Sequence, residues 1–97
     1  MSRSLVERRL SEVSARLRQL RDDLRIAEEQ LSQLVEVADD ARLRSLMSET
    51  PLADREHHES QRHADAMQRH RSELNEDIVR LERTQDELLD RLMAETK

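Results

Sequence analysis

SETPL, residues 48–52, holds the only proline of a 97-residue chain that contains no glycine. Thr50 offers the side-chain oxygen that suits a helix N-cap, and Pro51 suits the first helical position, where its missing N–H costs nothing. Proline also pushes the residue before it out of the α region. One helix is therefore predicted over about 3–48, a turn over about 48–51 and a second helix over about 51–95, all within a single domain spanning 1–97.

The segments on either side of this stretch are heptad-patterned. With Leu10 at position a, the a and d positions run through Val13, Leu17, Leu20, Leu24, Ala27, Leu31, Leu34, Ala38 and Ala41, with Val6 as the preceding d. A 3.5-residue apolar repeat sustained this far is the signature of a left-handed coiled-coil seam. Beyond the turn, taking His57 as a gives Ser60, Ala64, Met67, Arg71, Leu74, Ile78, Leu81, Gln85, Leu88 and Leu92, a less regular repeat. With one break near the centre and no flexible linker, the expected fold is all-α. Two long helices form an antiparallel coiled-coil hairpin, with arms of about 65–70 Å.

Folding back also matches the layers and the charges. Positions whose numbers sum to 98 face each other across the turn, setting Leu10 against Leu88, Leu17 against Leu81 and Leu24 against Leu74. Residues 1–25 carry seven arginines and four acids, while residues 73–97 carry four basic and eight acidic residues, so the two ends attract. A parallel homodimer would oppose Arg16 to Arg21 and Asp77 to Glu82, which disfavours it. Arg71, the charged residue in the second seam, is expected opposite Ala27, with Glu28 near enough to pair with it.

Composition sets the functional limits. The chain is 35% hydrophobic and 40% charged, and it has no aromatic residue and no cysteine. A conventional layered core, a thiol nucleophile and a thiolate metal site are thereby excluded. No apolar run is long enough to span a membrane, and the charges of MSRSLVERRL do not suit a signal peptide, so a cytoplasmic location is expected. At a net charge of −5 no direct attraction to nucleic acid or to anionic lipid is expected. All 17 basic residues except Lys97 are arginine. In this the chain resembles the short, arginine-rich coiled-coil proteins of bacteria. There is no glycine-rich phosphate loop and no nucleophile beside a base, so the chain is read as non-enzymatic and without a cofactor.

Two groups of apolar residues fall off the seam. Val35, Val37, Leu43, Leu46, Met47 and Leu52 lie near the turn, and Leu5, Ile26, Val79, Leu89 and Met93 lie mostly toward the other end. The first group is expected to bind a protein partner, with Arg42, Arg44, Glu49 and Asp54 setting orientation. The second is expected to be covered by another copy, giving a homo-oligomer, most simply a dimer built as a helical bundle. The a and d residues near the turn are small, so that part should be the least stable.

His57, His58, His63 and His70 are candidates for metal ligands or for a pH sensor that gains charge as pH falls toward about 6. Glu59 and His63 share a helical face, but His70 is two turns from His63, and the helix 1 residues expected to flank His63, Gln30 and Val37, are not ligands. A solvated face is the plainer reading, and no metal site is expected. The arginines of residues 8–25 lack stacking aromatics and face an acidic helix, so charge compensation accounts for them.

The acids Asp39, Asp40, Glu49 and Asp54 gather toward the turn. A helical hairpin with such residues resembles, in outline, the transcript-cleavage factors of the Gre type and the secondary-channel regulators of the DksA group. That resemblance implies an alternative function, in which the hairpin enters RNA polymerase and presents acids to its catalytic magnesium. The chain departs from both families. It lacks the Gre tip sequence, the four-cysteine zinc module of the DksA group and a globular domain, and Asp39 and Asp40 lie about 14 Å short of Glu49 along the helix.

Overall fold

A computed structural model describes residues 2–95. The chain is all-α, with two long helices packed antiparallel: α1 spans Arg3–Ser48 and α2 spans Pro51–Glu95. The N-terminus of each is capped by a hydroxyl. The Ser2 hydroxyl accepts from the Leu5 N–H at 3.3 Å, and the Thr50 hydroxyl accepts from the Ala53 N–H at 3.2 Å. Each bond satisfies one of the orphan donors of a first helical turn. Asp54 places a negative charge in the first turn of α2, where the helix dipole favours it. The Ser2 cap is a feature the sequence reading did not single out.

Between the helices Glu49 adopts a left-handed conformation, φ 50°, while its N–H still donates to the Ser45 carbonyl at 3.1 Å. This is the conformation that ends many helices, and glycine normally supplies it. A chain with no glycine must place a side chain there instead.

The helices divide into two compact units. In the first, α1 up to Leu24 packs on α2 from Glu73 onward, and the buried side chains are Val6, Val13, Leu17, Leu20, Leu74, Ile78 and Leu88. Gln85 donates to the Ser14 hydroxyl at 3.2 Å and Arg21 pairs with Glu82 at 3.4 Å, which fixes the antiparallel sense. In the second unit, Arg25–Ser72, a helical hairpin forms around the turn, and the buried side chains are all alanines: Ala27, Ala38, Ala41, Ala53 and Ala64. Leu31, Leu34 and Met67 there are only half-buried.

Every a and d residue named from the heptads is buried or half-buried, and Ala53 joins them. Arg71 is half-buried, and its Nε lies 3.7 Å from Oε1 of Glu28, the charge partner expected for it.

The same four-residue spacing would allow Glu12 to pair with Arg16, Asp40 with Arg44, Asp65 with Arg69 and Glu87 with Arg91, but these ion pairs do not form. Among the described residues the intrahelical pairs are instead Arg3 with Glu7, Arg25 with Glu29, Asp54 with His58, and Asp77 with Arg80. Pairs of this kind contribute only about 0.2–0.5 kcal/mol, too little for spacing alone to select one over another against hydration.

Candidate partner-binding surface

The last four turns of α1 and the first turn of α2 present Val35, Val37, Leu43, Leu46, Met47 and Leu52 to solvent. Leu46 is 68% exposed and Met47 84% exposed, although the same turns bury Ala38 and Ala41. The small seam residues bring the helices close while leaving the larger apolar side chains outside. Leu43 is a neighbour of Leu46 and of Met47 at three and four residues' spacing, so these three form one patch on α1. Val35 lies three turns before Leu46 on the same side. Val37 is rotated about 160° from Val35 and lies on the other side of the helix. The six residues therefore do not make one continuous face.

At the other unit Leu5, Val79 and Leu89 are also exposed, each between 41% and 49%. Leu5 and Val79 sit among polar and charged neighbours: Leu5 among Arg8, Arg9 and Glu12, and Val79 among Asn75, Glu76, Arg80 and Arg83.

The acids are not brought together as a set. Glu49 and Asp54 line one shallow depression at the turn with Ser45, Thr50 and Pro51, whereas Asp39 and Asp40 lie about two and a half turns or more back along α1. Asp54 is also engaged, with its Oδ1 3.5 Å from His58 Nε2.

Each of the four histidines occupies a different environment. His57 sits half-buried at its a position, with Nδ1 shielded from water and lacking a hydrogen-bond partner among the described residues. His58 pairs with Asp54, and His70 is exposed. His63 lines a depression with Glu56, Glu59, Ser60 and Arg44. Sequence reasoning placed Gln30 and Val37 beside His63 and missed Arg44, whose positive charge opposes a cation there. Among the described residues no three His, Asp or Glu side chains are grouped so that they could hold a metal ion. No helix among them is long and apolar enough to cross a membrane.

No protein-family model, curated protein or solved structure matches the chain. The functional reading therefore rests on the geometry of the two helices and on the side chains they leave uncovered.

Proposed function

We propose that this chain is a non-enzymatic coiled-coil interaction module that self-associates as a helical bundle and holds a protein partner through the apolar side chains near its turn. The observation that carries this reading is the exposure of Leu43, Leu46, Met47 and Leu52 beside a seam already filled by alanines. Apolar side chains of this size contribute about 1.5–3 kcal/mol each when fully buried, so a partner that covers several of them is strongly favoured. Their charged surroundings, Arg42, Arg44, Glu49 and Asp54, supply a polar rim that fixes orientation. A heptad seam inside the hairpin leaves the outer faces available without unfolding, which suits helix-in-groove recognition.

The test is retention of protein on the immobilised chain, using both the purified chain and a cytosolic extract as prey. Leu46→Asp combined with Met47→Asp should abolish retention while circular dichroism keeps its full helix signal, because both side chains already face water. Unchanged retention by the double variant would retire the reading.

A further inference from the structure

We infer that the partner seated on this surface is a second copy of the chain, packed antiparallel along the α1 stripe formed by Val35, Asp39, Arg42 and Leu46. The inference rests on the interaction reading above and names its partner. Spacings of four, three and four residues place these side chains within about 60° of one another around the helix. All four are exposed. Read along α1 the stripe runs apolar, acidic, basic, apolar, and read from the other end its apolar ends repeat while its two charges exchange places.

A twofold axis between Asp40 and Ala41 therefore sets Val35 against Leu46 of the second copy and Asp39 against its Arg42, each contact occurring twice. Such a self-complementary patch is what an isologous dimer requires. The spacing is that of an antiparallel seam, in which a and d residues face each other across the pair. Neither Asp39 nor Arg42 joins an ion pair among the described residues, so both charges are left for an external partner. At the equivalent heptad positions of α2 stand Asp54, His58, Gln61, Asp65 and Gln68, whose pairs, Asp54 with His58 and Gln61 with Asp65, are internal to that helix. The apolar seat is thus on α1 alone.

The other side of α1 carries a similar alternation in Val37, Asp40, Arg44 and Met47. Arg44 there lines the depression with Glu56, Glu59 and His63 of its own hairpin, so acids of the same chain already lie near it. The Val35 to Leu46 stripe is therefore the better seat for a second copy.

Charge exchange on the full chain tests this by sedimentation equilibrium across a concentration series at low salt, with circular dichroism on each sample. Asp39→Arg sets an arginine against Arg42 of the second copy, and Arg42→Asp sets an acid against Asp39. Each alone should raise the dimer dissociation constant by about tenfold or more. The double variant D39R/R42D should restore the wild-type value. An equimolar mixture of the two single variants should form a mixed dimer, since each chain then carries the charge the other needs.

Single variants that dimerise as tightly as wild type would overturn the inference. So would a mixture that stays monomeric, or disruption by Asp40→Arg in place of Asp39→Arg. A monomeric wild-type chain would also overturn it. Loss of retention in the Leu46→Asp, Met47→Asp chain would in that case still support the interaction reading, so the two fail separately.

Discussion

Arg71 Nε lies 3.7 Å from Glu28 Oε1 across the helical hairpin, near enough for charge attraction and too far for a hydrogen bond. The same nitrogen is closed off from water and has no hydrogen-bond partner among the described residues. The pair is thus an electrostatic contact at the edge of the seam, with one donor left unsatisfied. Glu28 is about half exposed, so the Coulombic gain is screened and amounts to no more than about 1 kcal/mol. The unmet donor costs about as much or more.

Arg71→Leu should therefore stabilise the hairpin. It removes the orphaned donor and extends the apolar seam beside Ala27, for a gain of about 1 kcal/mol. In a chain of this size that corresponds to about 4–8 °C in the thermal midpoint, compared at one protein concentration. Glu28→Gln should shift the midpoint far less. A lower midpoint for Arg71→Leu would show that the ion pair outweighs the donor it strands.

Glu49 in the left-handed region makes the second prediction. A residue with a Cβ there costs about 1–2 kcal/mol, a strain glycine does not carry. Glycine returns part of that through its larger loss of chain entropy, so Glu49→Gly should gain about 0.5–1 kcal/mol and Glu49→Ala should gain nothing. Thermal unfolding followed at the helix signal checks both. A β-branched replacement such as Glu49→Val should be worse than either.

How much of this was legible in the sequence follows from where each feature gets its energy. The ends of both helices at the turn could be read because Thr50 and Pro51 act through their own backbone neighbours, as the bond from the Ala53 N–H to Thr50 shows. The seam could be read because burial repeats every heptad, and Leu17 and Leu20 are as buried as their positions demand. The left-handed conformation of Glu49 could not, since no glycine marks it. The surface ion pairs could not either: Arg25 pairs with Glu29 while Asp40 leaves Arg44, although both pairs have the same spacing. For the apolar residues near the turn, exposure was legible from their off-seam positions. Their grouping was legible too, because a spacing of two residues sets Val35 and Val37 on two sides of one helix, although nearness in sequence suggests a single patch.

The two cores should differ in stability. Leu17 is fully buried in the unit that also holds Val6 and Leu20, whereas the hairpin around the turn buries only alanines. Leu17→Ala should cost about 2–5 kcal/mol. Native-state hydrogen exchange should show stronger protection for amides near residues 13–20 and 78–88 than for those near residues 38–41 and 57–64, because fewer buried methylene groups resist local opening there. Equal protection in the two sets would contradict this account of the alanine core.

Sedimentation equilibrium of the wild-type chain beside the Leu46→Asp, Met47→Asp chain, with circular dichroism of both, tests the central claim most directly. The account predicts that the wild-type mass rises from 11.5 kDa toward twice that value with concentration. The double variant should stay at 11.5 kDa with the same helix signal. Identical masses for the two chains at every concentration would contradict the claim that the uncovered apolar side chains beside the turn are a surface for association.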